Sequence, residues 1–230
     1  MPRFFADITD NGQAIITGQD VRHITGPLRK RHGDTLLIRD DTQGYTARIS
    51  TIKPGEVILD ILSLDELHDR GINLIHLGVS IIDLKEMDVL LRYVTELGVS
   101  HIHPIIAARS NIRKIPPKRI QRWHDIIREA LKQCQRKSVP VLHETTTLVD
   151  FVRYDFNDVG LVRLVTCFDA ADMVNDYHGR DVCVLVGPEG GFTSEEMGVI
   201  SANDFHQVNM GRSILRTVTA AITAVAVLGM

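Results

Sequence analysis

Two segments in the last third of the chain combine residue types and spacing suited to binding a small ligand. The first is GPEGGF at residues 187–192, and the second is MGRSILR at residues 210–216. Each follows a predicted strand, and glycines at such positions let the backbone approach a ligand closely and offer its amides as donors. Neither segment matches the glycine patterns of dinucleotide or ATP sites. They therefore indicate either a nucleoside-sized cofactor site or simply a pair of tight turns.

The elements around these segments predict where the two loops lie. From residue 71 onward, strand-like apolar runs alternate with stretches of helical spacing, which is typical of a parallel α/β sheet. Ligands bind such sheets at the carboxyl ends of the strands, where both loops are expected. We predict strands at residues 73–82, 99–106, 139–142, 161–168, 181–186 and 205–210. We predict helices at 83–97, after Pro117 and ending near Lys137, from 194 onward and at 217–228.

Two of these helices carry end signals in the sequence. Thr193 and Glu196 have the spacing of a capping box, in which each side chain bonds to the other's backbone N–H. Gly98 follows the last apolar position of the helix predicted at residues 83–97 and suits a C-terminal cap.

The first 70 residues follow a different pattern. Short apolar runs near residues 35–38, 45–52 and 56–62 are separated by glycine and proline, which predicts a small β-barrel or sandwich. The pattern changes near Arg70, so we divide the chain into domains at residues 1–70 and 71–230.

Charge is unevenly distributed along the chain. The net charge is −3, yet ten Lys or Arg and only two acidic residues lie between Arg109 and Lys137. A second basic stretch covers residues 22–32. Such clusters can neutralise phosphates, or they can be solvated faces balanced elsewhere, and charge alone leaves the two readings about even.

Several classes of protein are disfavoured. No apolar stretch reaches the roughly eighteen residues of a membrane span, and the first residues do not resemble a secretory signal, so we expect no membrane association and a cytoplasmic location. The three cysteines are far apart, which argues against a disulfide framework and a zinc site. His101 and His103 share one face of a strand, but two histidines are more typical of packing than of a metal site. We expect no metal.

Four ordered motifs resemble the RsmE family of SPOUT-class RNA methyltransferases. GPEGGFTSEE (187–196) and MGRSILRTVTA (210–220) are similar to that family's paired cofactor loops. Upstream, TELGV (95–99) precedes His103-Pro104 and Arg109-Ser110, and Glu129, Gln133 and Arg136 precede Val139-Pro140. The resemblance spans nearly the whole chain.

The resemblance implies a fold and a reaction. It implies a C-terminal α/β SPOUT-type domain tied in a deep trefoil knot, a small N-terminal PUA-like β-barrel domain that binds RNA, and a homodimer. The implied activity is transfer of a methyl group from S-adenosylmethionine to N3 of a uridine in the 16S rRNA of the small ribosomal subunit.

The resemblance also implies roles for individual residues. Catalytic candidates are Arg136, Arg216 and Glu96. The two arginines could equally contact phosphate or form salt bridges, and an ion pair is an equally good reading for Glu96. The cofactor candidates are Leu185, Gly187, Pro188, Glu189, Gly190, Gly191, Met210, Gly211, Ile214, Leu215 and Arg216. The RNA-binding candidates are Arg3, Arg22, Arg29, Lys30, Arg31, Arg109 and Arg113.

One position departs from the family pattern. Family members usually carry Glu between the threonines of the last motif, where this chain has Val218. Two alternatives therefore stay open beside N3 methylation. One is a SPOUT 2′-O-methyltransferase acting on rRNA or tRNA, and the other is an RNA-binding paralogue without catalytic activity.

Overall fold

The computed structural model describes residues 3–65, 73–134, 136, 138–156 and 160–229. Their contacts divide the chain into two compact units. The first unit comprises residues 1–70 with 131–139, and the second comprises residues 71–130 with 140–230.

The first unit is built on a six-stranded sheet in the order β1-β4-β5-β6-β3-β2. Only the β1–β4 pair is parallel. Strands β1 and β2 lie at opposite edges, yet a single residue, Ala6, separates them in the chain, so the sheet curls until its edges approach each other. Its strands are β1 (Arg3–Phe5), β2 (Asp7–Ile8), β3 (Gln13–Thr17), β4 (Thr35–Arg39), β5 (Gly44–Lys53) and β6 (Glu56–Asp65).

One helix, α1 (Gln19–Thr25), packs on this sheet. It buries Val21 and Ile24, which are one turn apart, into the core formed by the alternate inward-facing residues of the strands. Seven residues are too few to show helical periodicity, and the sequence did not predict this helix.

The second unit is a parallel sheet in the order β10-β8-β7-β12-β11-β13, with β9 also paired to β8. Every pairing in this sheet is parallel. Its strands are β7 (Ile75–Ser80), β8 (His101–Ile106), β9 (Val141–Leu142), β10 (Thr146–Thr147), β11 (Val162–Thr166), β12 (Val182–Val186) and β13 (His206–Val208). The predicted α/β alternation is therefore confirmed.

Helices connect these strands on both faces of the sheet. Helix α6 packs against α2, β7 and β12, whereas Phe151 of α4 and Ile200 of α5 belong to the core cluster on the other face. The helices are α2 (Leu84–Glu96), α3 (Pro117–Cys134), α4 (Leu148–Val152), α5 (Ser194–Ser201) and α6 (Thr217–Gly229), with a 3₁₀ turn at Val174–Tyr177.

Both predicted helix ends are confirmed. Thr193 accepts a hydrogen bond from the backbone of Glu196, whose carboxylate accepts one from the backbone of Thr193. This reciprocal cap contributes on the order of 1 kcal/mol and fixes where α5 begins. Gly98 follows α2 with φ of 109°, a left-handed value that glycine adopts without strain.

Among the described residues, no helix has the length and apolar character that crossing a membrane requires.

Candidate active site

A cavity of about 300 Å³ opens at the carboxyl ends of β11, β12 and β13. This is the edge where ligands bind parallel sheets. The volume is at the small end of the range for ligand sites. Its lining comes from the segments that follow the three strands and from α5 and α6: Thr166, Cys167, Phe168, Val186, Gly187, Pro188, Glu189, Gly191, Phe192, Met197, Asn209, Met210, Ser213, Ile214, Leu215, Thr217 and Ala220.

The loop after β12 forms one wall of this cavity and is tightly packed. A Cβ on Gly187 would lie 3.0 Å from the ring of Phe192. The Gly187 carbonyl accepts a hydrogen bond of 2.9 Å from the hydroxyl of Thr217, at the start of α6. The Gly191 amide donates to the Pro188 carbonyl at 2.8 Å, which closes a turn. The backbone of this loop is therefore held in one conformation beside the cavity.

Asn209 fixes the loop after β13. Its side-chain amide donates to the Phe168 carbonyl at 2.6 Å, and its side-chain oxygen accepts from the Gly211 amide at 2.8 Å. Its backbone N–H donates to the Asp172 carbonyl at 2.7 Å. Asn209 therefore joins two of the three loops. The sequence did not single it out, because a polar residue just after a strand has no distinctive pattern.

Two apolar side chains at the mouth of the cavity are exposed. Ile214 is 80% exposed and Phe168 is 46% exposed. Exposed apolar groups at the edge of a concave site favour a ligand that covers them.

Arg109 supports the loop after β12 from the side. Its guanidinium donates to the carbonyl of Gly190, and its Cδ would lie 3.2 Å from a Cβ placed on Gly190. The neighbouring Ala108 amide donates to the Glu196 carboxylate at 2.6 Å. Arg113 in turn donates to the carbonyls of Ala107 and Ala108. The structure thus uses both predicted RNA-binding arginines in bonds to backbone, although both are exposed.

Seven of the predicted cofactor residues come together around the cavity: Gly187, Pro188, Glu189, Gly191, Met210, Ile214 and Leu215. The other four do not line it. Leu185 is fully buried in β12 among core residues, and Gly190 faces Arg109. Gly211 and Arg216 adjoin lining residues, and Arg216 is exposed beside Leu215 and Thr217. No described residue forms a hydrogen bond or ion pair with the Arg216 side chain.

The other two catalytic candidates lie elsewhere. Helix α2 leaves the carboxyl end of β7 and returns to the amino end of β8, so its last residue, Glu96, is at the opposite end of the sheet from the cavity. Arg136 is 7% exposed, groups with the first unit and donates to the Ser138 hydroxyl at 3.0 Å. Neither residue is among those that line the cavity.

The RNA-binding candidates of the first unit differ in exposure. Arg22, Arg29 and Arg31 are exposed on and after α1, and the Lys30 ammonium donates to the Thr35 carbonyl. Arg3 requires a correction. It is 7% exposed, and its guanidinium pairs with the Asp65 carboxylate. A buried, paired arginine is not a surface contact for phosphate.

The basic helix α3 is partly neutralised by ion pairs. Arg119 and Arg122 both bond to the Asp88 carboxylate, at 3.1 and 2.7 Å. Lys132 bonds to Asp20 at 2.8 Å. Part of the positive charge counted in the sequence is therefore balanced within the chain.

The parallel sheet and the cavity between glycine-bearing loops at its carboxyl edge define an α/β protein with a small-molecule site, and similarity to known proteins identifies its family. A family model described as an RNA methyltransferase domain matches residues 71–229, and the chain belongs to this family.

Similar proteins extend the likeness to almost the whole chain. The ribosomal RNA small subunit methyltransferase E of Rickettsia conorii is 26% identical over 220 residues, which cover 92% of this chain and 87% of that protein. The crystal structure of the enzyme of that name from Neisseria gonorrhoeae, bound to S-adenosylmethionine, is 29% identical with a TM-score of 0.86 and covers 98% of this chain and 95% of its own. A Legionella pneumophila protein in complex with the same cofactor is 30% identical with a TM-score of 0.87 and covers 99% and 96%. The predicted resemblance to the RsmE family is confirmed.

Proposed function

We propose that this protein transfers a methyl group from S-adenosylmethionine to N3 of a uridine in 16S rRNA. The observation that carries the proposal is the cavity at the carboxyl ends of β11, β12 and β13. It is walled by the two glycine-bearing loops, and similar proteins that are solved with S-adenosylmethionine share this fold over nearly their whole length.

The residues of the cavity fit this cofactor. The absence of a side chain on Gly187 lets the Phe192 ring pack against the backbone of this loop, and both residues line the cavity. Backbone groups of residues 187–191 and 209–211 would hold the polar parts of the nucleoside and amino acid. Met210, Ile214 and Leu215 would contact its apolar faces. The bound cofactor would supply a methyl group on a sulfonium.

The chain must also prepare the uridine. N3 carries a proton in neutral uridine, and its lone pair becomes available for attack only when the imide loses that proton. A nearby cation favours the negatively charged imide. Arg216 is our candidate for this role, because it is exposed at the edge of the cavity and no described residue pairs with it. Positioning the base against the methyl group supplies the remaining rate enhancement.

Further features of the proposal rest on the family resemblance. We propose that the first unit is a PUA-like RNA-binding domain and that Arg22, Arg29 and Arg31 contact the RNA backbone.

The chain passes from edge strand β13 to α6, which packs on β7 and β12, and this return supports the proposal of a trefoil knot. Val89 and Tyr93, one turn apart on α2 and 42% and 44% exposed, support a homodimer interface. The ribosomal substrate places its action in the cytoplasm.

The decisive experiment is methyl transfer from labelled S-adenosylmethionine to small ribosomal subunits that lack this methylation, followed by nucleoside analysis. Label in N3-methyluridine supports the proposal. Label in a ribose-methylated nucleoside instead supports the 2′-O-methyltransferase alternative. Cofactor binding without transfer to subunits or to free 16S rRNA supports the non-catalytic RNA-binding alternative.

Val218 is the observation that favours this last alternative, and it has its own test. The residue lies in the first turn of α6, next to the cavity residue Thr217. If the missing carboxylate orients the cofactor or relays a proton, Val218→Glu raises kcat by about 100-fold, the lower end of the range of general acid–base effects. An unchanged kcat shows that the carboxylate is dispensable in this chain.

A further inference from the structure

A second cavity opens in the second unit, at the same edge of the sheet as the proposed S-adenosylmethionine site, which we call the cofactor cavity. The second cavity has a volume of about 510 Å³. It begins at Ile106 and Leu142, the last residues of β8 and β9, and therefore lies at the carboxyl ends of these strands. Helix α3 contributes Ile120, Trp123 and His124, which share one face of the helix. We call this space the α3 cavity.

The lining of the α3 cavity divides by exposure into an apolar part and a basic part. Ile115 and Trp123 are buried and Leu142 is half-buried, whereas Arg113 and Lys114 are exposed. Apolar or aromatic walls combined with positive charge are typical of sites that bind single-stranded nucleic acid. The lining therefore favours a nucleotide whose base enters the cavity and whose phosphate stays at the exposed, basic side.

The positive charge on this side is held in place but not neutralised. The Arg113 guanidinium donates to the carbonyls of Ala107 and Ala108 at 2.9 and 2.6 Å, which fixes its position and leaves its charge. Of the residues that the structure describes, no carboxylate pairs with Arg113 or Lys114. The arginines of α3 that pair with Asp88 differ in this respect. Unpaired cations beside a cavity attract phosphate.

Two polar groups of the lining suit the hydrogen-bonding edge of a base. Trp123 is 1% exposed, and none of the described residues accepts a hydrogen bond from its Nε1–H. Proteins rarely leave a buried donor without an acceptor, so an acceptor atom of a bound molecule suits this wall. The exposed Glu144 has no ion-pair partner among the same residues, and its carboxylate can accept from an N–H of the base. Nucleobases carry both acceptors and N–H donors.

The α3 cavity is near the cofactor cavity but separate from it. Strands β8 and β12 have only β7 between them, so they are about 10 Å apart at roughly 4.8 Å per strand. The segment after β8 connects the two sites, because Arg109 bonds to the Gly190 carbonyl and Arg113 lines the α3 cavity. No described residue lines both cavities. An RNA strand that presents its target uridine to the cofactor can therefore reach the α3 cavity with a neighbouring nucleotide.

We propose that the α3 cavity binds one unpaired nucleotide of the RNA that carries the target uridine. The base lies against Trp123 and Leu142, and the phosphate contacts Arg113 and Lys114. This contact holds the RNA in register, so that the target uridine is the base presented to the methyl group. The proposal rests on the proposed function, because it assigns the nucleotide to the RNA substrate.

Trp123 is the only tryptophan of the chain, so tryptophan fluorescence reports directly on the α3 cavity. The full-length protein is titrated with a short single-stranded RNA of mixed sequence, and the anisotropy of a labelled copy of this RNA measures binding in parallel. We expect a saturable change in Trp123 emission with the same midpoint as the anisotropy. Saturating S-adenosylmethionine should leave this signal intact, because it occupies the other cavity. Binding of the RNA without a change in Trp123 emission would overturn the proposal.

A matched pair of lysine variants separates this cavity from general charge attraction. Lys114→Gln should weaken RNA binding several-fold and reduce the slope of log K against log salt by about 0.7, the value for one phosphate contact of a single strand. Lys118→Gln removes the same charge from an exposed lysine of α3 that does not line the cavity, and it should leave the slope unchanged. Both side chains are exposed, so both variants should fold, which circular dichroism can confirm. Equal effects of the two substitutions would contradict the proposal.

Other ligands and the proposed function are tested in the same assay. If adenosine monophosphate changes Trp123 emission at concentrations as low as the RNA does, the cavity belongs to a free nucleotide and the proposal is wrong. If polyglutamate does so, the cavity binds an acidic peptide and the proposal is again wrong. A Trp123 response to RNA in a chain without methyl transfer would overturn the proposed function alone. Methyl transfer by a chain whose Trp123 does not respond to bound RNA would overturn the role of the α3 cavity alone.

Discussion

The cavity proposed to bind the cofactor and the exposed arginines proposed to bind RNA differ in how their binding groups are held. In the cavity, the Gly187 carbonyl and the Gly211 amide are fixed by hydrogen bonds from Thr217 and to Asn209. On the first unit, Arg22 and Arg31 offer charges on long, exposed side chains. Fixed backbone groups confer shape selectivity, whereas mobile charges confer affinity that salt weakens. Substitutions should therefore act through shape in one region and through charge in the other.

The largest expected effect is at Gly187. Valine there would collide with the Phe192 ring, since even a Cβ would lie 3.0 Å from it, and would displace this ring, which lines the cavity. We expect Gly187→Val to weaken S-adenosylmethionine binding by about 100-fold, the cost of a clash of roughly 3 kcal/mol. Calorimetry measures this directly. The matched control is Gly198→Val, since Gly198 is exposed on α5 with nothing within 4 Å. Equal binding by both variants would show that this loop does not contact the cofactor.

The next largest effect is expected on the rate at which Cys167 is alkylated. Cys167 is half-buried and lines the cavity, so a bound cofactor should shield it from alkylation. At ten times the Kd, the modification rate should fall by about tenfold, since roughly one chain in eleven is then unliganded. Cys183 is an internal control, because complete burial raises the pKa of its thiol and keeps it unreactive. Mass spectrometry identifies the modified residue. Unchanged modification of Cys167 under saturating cofactor would place the cofactor elsewhere.

Charge removal on the first unit should produce a smaller effect. Arg22→Gln with Arg31→Gln should lower the affinity for 16S rRNA by several-fold. It should also reduce the slope of log K against log salt by about 0.7–0.9 for each lost phosphate contact. Cofactor affinity should not change. Lys53→Gln is the control in the same unit, because Lys53 pairs with Glu56 at the surface. An unchanged salt slope would remove these arginines from the RNA interface.

The smallest change in affinity is expected for a substitution at Arg109. This substitution tests whether Arg109 belongs to the cofactor cavity or to the RNA-binding surface. Its sequence context predicted an RNA contact, but its guanidinium bonds to the Gly190 carbonyl. Arg109→Gln should weaken cofactor binding by about fivefold, the loss of one hydrogen bond of roughly 1 kcal/mol. Arg92→Gln on the exposed face of α2 serves as control. A loss of RNA affinity with intact cofactor binding would restore the original prediction.

Features encoded within a few residues were predictable from the sequence. The alternation of strands and helices, the Thr193–Glu196 cap and the end of α2 at Gly98 each depend on neighbours in the chain. The two glycine-bearing loops follow the parallel strands β12 and β13, between which only β11 lies. The rule that ligands bind at the carboxyl ends of strands therefore predicts both loops at one edge of the sheet.

Features that depend on distant contacts were not predictable in the same way. Arg3 and Arg22 look alike in sequence, but Asp65 pairs only with the first of them. Glu96 belongs to a family motif, but the direction of α2 carries it to the far end of the sheet. His76 and His143 are 67 positions apart in the sequence, yet both contact His101 and His103, because β7 and β9 both pair with β8.

The central claim is that the cavity at the carboxyl ends of β11, β12 and β13 binds S-adenosylmethionine. A crystal structure of the protein with this cofactor tests it most directly. We predict cofactor density between residues 187–192 and residues 209–216, with backbone groups of both loops in contact with it. Density at any other place on the chain, or none at saturating cofactor, would contradict the claim.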